Sequence, residues 1–397
     1  MYDSSSNGRY LSRRFMYNLS LYAIDSLLGF FIPSSPPTPA ISTPRRILLI
    51  NGAHIGDVVM STSVLPILKS AYPEIKIGFV VGSWARMVVD DNPLVDFVHI
   101  VDHWWLDRSK KSLFQKLREY VTTRSTAFRA IKAQEYEVGI DLYTCFPSMA
   151  SLLWQANIPV RIGYVSSGFG PMLSNGIRFP DFLKHETLYH SDLLRQLPIP
   201  EEHFKKQHSV LPVPDDQDEQ EVCSLLGTAS LKDVRYCVVH MASGMSVKEW
   251  ALDSWRSLSE KLLEEGFWLL FTGVGMRENV GIESVISNLP RCINGCDKLG
   301  WKSYLAAVKH AHLMFCVDSM AGHVARTLGT RYVVISHGIT SAVRWRPSST
   351  HGLIVENPVP CAPCQRKNGC ASMTCLRGID VEQVYRAAKA LTARLSP

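Results

Sequence analysis

What the 397 residues lack is informative: no apolar run is long enough to cross a bilayer. The nearest candidate, within RRFMYNLSLYAIDSLLGFFIP, is broken by Asp25 and falls short of the roughly 20 residues a spanning helix needs. Mean hydropathy is +0.01, which argues against a polytopic membrane protein. No cleavage site follows an apolar core, so no signal peptide is expected and a reducing cytosol is the expected compartment. Concentrated charge is also missing. The net charge of +6 is diffuse apart from pairs such as Arg13-Arg14, Arg45-Arg46 and Lys205-Lys206. That spread argues against a nucleic-acid partner, while it suits an anionic membrane surface or a phosphorylated substrate. The chain carries neither Gly-x-Gly-x-x-Gly nor a Lys-Ser/Thr-ended phosphate loop, which disfavours a dinucleotide oxidoreductase and an NTPase. No repeat of 20–50 residues is visible.

What is present begins with an N-terminal segment, 1–44. Arg13 and Arg14 stand beside Phe15, Leu19, Tyr22, Leu27, Phe30 and Phe31. Two readings stand, an interfacial amphipathic helix making peripheral contact with the inner face of a membrane, or a helix packed on the body of the protein. PSSPPTPAISTP then reads as an extended linker.

From Arg46 short apolar runs alternate with amphipathic helical stretches, the pattern of a parallel sheet with helices on its faces. Strands are expected at 47–51, 75–81, 98–101, 138–143 and 160–163, with a long charged helix over 112–133. SVLPVPDDQDEQ marks a boundary, with its acids read as a solvated linker rather than a metal–nucleotide Asp-x-Asp site. A second series follows, with strands at 236–240, 268–272, 313–317 and 332–336, and helices at 252–265, 301–309, 322–328 and 381–395. The expectation is an α/β chain with two doubly wound domains, 45–211 and 212–397, and a ligand cleft between them at the strand ends.

Three motifs fall at those strand ends. In NGAHIGD, Asp57 follows Gly52 and Gly56. A carboxylate repels phosphate, so this is not an anion loop; Asp57 is read either as a helix cap or as a base accepting a proton from a hydroxyl. His54 beside it is read as a site residue or exposed loop. In HMASGMSVKEW, Ser243 and Gly244 offer donors and Lys248 a point charge for a diphosphate, against a plain surface lysine. In CVDSMAGHVARTLG, Asp318 and Ser319 end a strand, Ala321 and Gly322 open a helix, and His323 sits in its first turn. A helix N-terminus suits a diphosphate; the alternative is ordinary capping with His323 packed locally.

Together these stretches resemble glycosyltransferase family 9, the lipopolysaccharide heptosyltransferase family. The resemblance runs over roughly residues 45–392 and includes NPLVDFVHIVD and CAPCQRKNGCASMTCLRGI. It implies a GT-B fold, two Rossmann-like domains facing a central cleft, with the acceptor on the first and a nucleotide sugar on the second. It implies Asp57 as general base, Lys248 as the diphosphate lysine, and Asp318, Ser319 and His323 in the donor-binding turn. The implied reaction is inverting transfer without a catalytic metal, from a nucleotide sugar, ADP-heptose foremost, to lipopolysaccharide or another envelope glycan or glycolipid. Other nucleotide sugars, and O-antigen, capsule or protein acceptors, stay open, as does a non-catalytic member whose cysteines serve assembly. Met320 stands where members commonly have glycine, and HMASGMSVKEW carries an extra residue.

Of the ten cysteines, Cys145, Cys223, Cys237, Cys292, Cys296 and Cys316 are scattered without the rhythm of a disulfide framework. The other four, Cys361, Cys364, Cys370 and Cys375, crowd together at a spacing that can wrap one tetrahedral ion. A structural zinc or iron, or else free thiols or labile disulfides, is expected there; the cluster resembles the iron-binding finger of the autotransporter heptosyltransferases.

Overall fold

Apolar runs of four to six residues, buried on both faces, make the central strands of two parallel sheets. In the computed structural model, residues 10–11, 15–32, 43–180, 183–347 and 350–393 are described. Arg13, Arg14, most of the proline-rich stretch, Ser348 and Ser349 lie outside them. The chain forms two compact units, Met1–Pro212 and Val213–Pro397.

The first unit holds β1 (Arg46–Ile50), β2 (Lys76–Val81), β3 (Phe97–Ile100), β4 (Val138–Asp141), β5 (Val160–Tyr164) and β6 (Asn175–Ile177), in the order β3-β2-β1-β4-β5-β6. The second holds β7 (Tyr236–His240), β8 (Trp268–Phe271), β9 (Cys292–Asn294), β10 (Leu313–Val317), β11 (Tyr332–Ile335) and β12 (Gly352–Val355), in the order β12-β11-β10-β7-β8-β9. Counted within its own unit, each sheet runs 3-2-1-4-5-6, the doubly wound order whose ligand crevice opens where strand order reverses. The reversal lies between β1 and β4 in one sheet and between β7 and β10 in the other.

Each unit has its own core. Leu48, Ile50 and Val80 pack with Ile131 and Leu153 in the first, and Val239, Phe271, Phe315 and Val333 with Trp255, Leu262 and Val384 in the second. The charged helix appears as Leu113–Ala133, opened by a capping box in which Ser112 Oγ accepts from Gln115 N at 3.3 Å. One correction concerns the acidic stretch. It is the first turn of the helix Asp216–Leu226, with Asp215 Oδ1 accepting the amides of Gln217 and Asp218. Lys302 pairs with Asp215 and Asp218, so these acids cap a helix rather than solvate a linker.

The N-terminal helix Phe15–Phe31 packs on the first unit. Asp25, which breaks the apolar run in sequence, is the buried anchor: Tyr10 donates to its Oδ2 and the Phe169 amide to its Oδ1, both at 2.8 Å. Among the described residues no helix is long and apolar enough to cross a membrane.

Candidate functional site

In the first unit, β1 runs through Asn51-Gly52-Ala53-His54 into the helix Ile55–Ser61. The buried Asn51 shapes that loop, its Nδ2 donating to Ser61 Oγ at 2.6 Å and its Oδ1 accepting the Ala53 amide at 3.0 Å. Gly52 lets Met149 pack close, since a Cβ there would stand 2.7 Å from Met149 Cε and push that side chain aside. His54 is the N-cap residue, and Asp57, three positions on, accepts its amide on Oδ2 at 3.2 Å. Asp57 therefore does cap its helix, and it does so while remaining half-exposed.

Two neighbouring loops leave the sheet at the same end, after β3 and β4. The first brings Arg108, partly desolvated. Loss of water lowers its pKa, while the charges of Asp57 and Tyr143 pull it back up. Arg108 and Asp57 thus share one electrostatic field, which no motif in the sequence announced. The second loop is shaped by Asp141, buried and pushed up to about 6 by that burial, which accepts the Met149 amide at 2.8 Å and Ser148 Oγ at 3.0 Å.

In the second unit, the loops after β7 and β10 meet at the reversal of strand order. Lys248 Nζ, from a short turn after β7, stands 3.1 Å from Asp318 Oδ2 at the tip of β10. His337, fully buried after β11, places Nε2 2.9 Å from the same oxygen, off the ring N–H axis. His337 Nδ1 accepts the Ile339 amide at 3.0 Å, so the ring proton resides on Nε2, the nitrogen nearer Asp318. Burial alone would raise the pKa of Asp318; His337 and Lys248 outweigh it and hold the carboxyl well below the usual range. Arg346, which ion-pairs with Glu356, also feels the charge of Asp318. The result is a buried carboxylate between Lys248 and an imidazole, with the Arg346–Glu356 pair beside it, and Lys248 is the cation that an incoming anion can recruit.

The neighbours of Lys248 hold its turn in place. Glu249 accepts the Ser243 amide at 3.0 Å and a forked pair from Arg277 at 2.7 and 2.9 Å. Trp250 is buried and donates its indole N–H to the Ile379 carbonyl at 3.1 Å.

The remaining expected residues fall as follows. Ser243 Oγ is turned back on its own loop, donating to the Met245 carbonyl at 2.9 Å and accepting the Met245 amide at 3.0 Å. Ser319 is the N-cap of the helix Met320–Leu328, its Oγ accepting the Ala321 amide at 3.4 Å. Gly322 lies under the helix, where a Cβ would meet Pro347 at 3.0 Å and Val334 at 3.1 Å. His323 is buried in the first turn, its carbonyl accepting Thr327 Oγ1 at 2.8 Å. Outside those motifs, in the loop after β11, Arg344 is buried and lies over the Trp345 ring at 4.6 Å.

The four clustered cysteines do not converge. Cys361 is exposed and Cys375 buried, Cys370 Sγ accepts the Met373 amide at 3.4 Å, and no group of three or more potential ligands forms among the described residues. The thiols as placed do not fit a tetrahedral metal ion.

Solved structures carry the same fold. A family 9 glycosyl transferase from Veillonella parvula DSM 2008 matches with a TM-score of 0.73 at 19% identity, covering 91% of this chain and 100% of that one. E. coli ADP-heptose lps heptosyltransferase II gives 0.69 at 16% identity, covering 89% and 100%. E. coli heptosyltransferase WaaC with ADP gives 0.63 at 15%, covering 87% and 99%. With two parallel α/β sheets and these neighbours, the fold is of the GT-B heptosyltransferase type. No curated protein matches the sequence. The sequence model of glycosyltransferase family 9 (heptosyltransferase) matches residues 124–373, which takes in Lys248 and Asp318 and leaves Asp57 outside. More than half of the chain is matched, and the protein belongs to glycosyltransferase family 9, as a glycosyltransferase of heptosyltransferase type.

Proposed function

We propose that the protein transfers a heptose or related sugar from a nucleotide sugar to a bacterial envelope glycan, with the donor on the second unit and the acceptor on the first. The observation that carries this reading is Lys248 at the reversal of strand order, ion-paired to a buried Asp318 that His337 also contacts. A diphosphate arriving there recruits Lys248, while Asp318 and the residues of the following turn, Ser319, Ala321, Gly322 and His323, bind the rest of the donor. ADP-heptose is the favoured donor, since the named neighbours include an ADP-heptose heptosyltransferase and WaaC with ADP. Lipopolysaccharide is the favoured acceptor, reached from the cytoplasmic side.

In the proposed step, Asp57 takes the proton of an acceptor hydroxyl as that oxygen attacks the anomeric carbon. The bond from that carbon to the diphosphate oxygen breaks, the electron pair leaves with the nucleoside diphosphate, and the configuration inverts. Lys248 stabilises the charge that develops on the leaving group.

Asp57→Asn separates chemistry from structure, because the Asn carbonyl oxygen can still accept the His54 amide. Turnover is expected to fall at least about a thousandfold with donor affinity and melting temperature nearly unchanged; retained turnover removes Asp57 as the base. A thermal-shift series with ADP, UDP, GDP and CMP identifies the nucleotide, since only a ligand of the folded state raises stability. ADP is expected to give the largest shift.

A further inference from the structure

We propose that the outer face of the helix Phe15–Phe31, together with the net-basic, apolar-striped ridge at residues 108–121, docks the protein on an anionic lipid bilayer. The helix is fastened inward by Leu21 and Asp25, 3% and 1% exposed, and by Leu28 and Ile32 against Met172 and Leu173. Outward it presents Met16, Tyr22, Leu27, Phe30 and Phe31, from 54% to 83% exposed. Asp25 is the only charged residue in the helix, so that outer face carries no charge at all. Single exposed apolar residues are ordinary, but a charge-free helical face of large ones marks an interaction surface.

The second element supplies the opposite chemistry. Residues 108–118, RSKKSLFQKLR, contain Arg108, Lys110, Lys111, Lys116 and Arg118; of the flanking acids, Asp107 and Glu119, Glu119 pairs with Lys111 at 2.7 Å, and the stretch keeps a net positive charge. From the same stretch the helix Leu113–Ala133 exposes Leu113, Phe114, Leu117 and Val121 at 59%, 76%, 39% and 61%. Leu113, Leu117 and Val121 recur at every fourth position and form one stripe. An apolar stripe flanked by cations is the composition of an element that lies in a headgroup region.

Ring contacts tie the two elements together. Tyr17 of the N-terminal helix meets Phe146 at 5.2 Å, Phe146 meets His103 at 6.3 Å, and His103 meets Tyr120 of the long helix at 4.7 Å. Trp105, 49% exposed, packs on Phe146 at 5.9 Å; an indole half in water suits a membrane interface.

Charge selects the occupant. A second copy of the chain would set one net-positive ridge against another, whereas anionic headgroups neutralise it. The N-terminal helix has 17 residues, about 26 Å of rise against a hydrocarbon core of about 30 Å. It is also held by its buried Asp25, so it lies on the membrane rather than spanning it. Arg108 belongs both to the ridge and to the field of Asp57, so a lipid-anchored acceptor would reach the β1 loop from this side; only that last step rests on the proposed acceptor.

Vesicle flotation of the full chain tests the surface without any need for turnover. Binding is expected to phosphatidylglycerol/phosphatidylethanolamine vesicles and to be weakened by salt, with little binding to pure phosphatidylcholine. Phe114→Glu with Leu117→Glu, and separately Leu27→Glu with Phe30→Glu, are expected to reduce the partition roughly tenfold or more. Circular dichroism melting, expected unchanged for these exposed positions, shows that the variants are folded. Absence of binding to anionic vesicles overturns the proposal, and so does wild-type binding by both folded variants. A concentration-dependent dimer that Leu27→Glu with Phe30→Glu dissolves, without vesicle binding, would assign the face to a second copy instead.

Discussion

His337 Nε2 and Lys248 Nζ converge on one oxygen of Asp318, at 2.9 and 3.1 Å. An anion that draws Lys248 away therefore leaves the buried carboxylate beside the imidazole. His337 is a positioning residue. Replacing it with Phe removes the donor and is expected to cost about 1.5–3 kcal/mol in urea unfolding. Donor KM is expected to rise more than kcat falls, and His337→Gln, which restores an N–H, to recover most of both. Equal behaviour of the Phe and Gln variants would mean that His337 merely fills space.

Lys248→Met keeps the length of the side chain and removes its charge. Donor binding, read by isothermal titration with ADP, is expected to weaken at least tenfold, about 1.4 kcal/mol or more. Unchanged ADP affinity would place the diphosphate elsewhere.

Stability is expected to fall on mild acidification. His99 and His240 are buried and lowered to about 4 by loss of water. An unfolded imidazole takes its proton near pH 6.5, so between about 6.5 and 4 the unfolded chain binds more protons and folding weakens as pH drops. His240→Gln should flatten the decline between pH 7 and pH 5 by about 2 kcal/mol in denaturant titrations. Parallel curves would refute the neutral buried imidazole. Asp318 acts lower on the scale: its depressed pKa contributes stability above the unfolded value near 3.9, lost as pH falls through the folded one.

The cysteine segment makes a contrast between two serine variants. Cys375 is buried and Cys361 exposed, so Cys375→Ser is expected to lower the melting temperature and Cys361→Ser to leave it alone. Equal losses in both, accompanied by loss of bound zinc or iron on metal analysis, would restore the four-thiolate reading.

Sequence pattern was most legible where strands are buried on both faces. Tyr236–His240 and Leu313–Val317 read from their apolar runs to the residue. Asn175–Ile177, Cys292–Asn294 and Gly352–Val355 did not, because short edge strands that are only half-covered need no continuous apolar run. The acids at 215–219 read as linker because local composition cannot tell a capped first turn from a solvated stretch; Lys302, far along the chain, decides it. Lys248, Asp318 and Asp57 were legible as polar residues following strands. His337 was not, since its role comes from a separate β-α loop and leaves no spacing to recognise. Asp25, which reads as an interruption, is in the fold the anchor of its helix.

The indole hydrogen bond from Trp250 to Ile379 joins the turn of Lys248 to a strip of chain made long after it. During synthesis the strands β7 to β11 emerge before that partner exists, and a domain cannot finish packing before its last clasp arrives. The lysine turn therefore gains that hydrogen bond only once residue 379 has been made. A ribosome paused before Ile379 would carry a nearly finished sheet whose anion-binding turn still lacks its fastening.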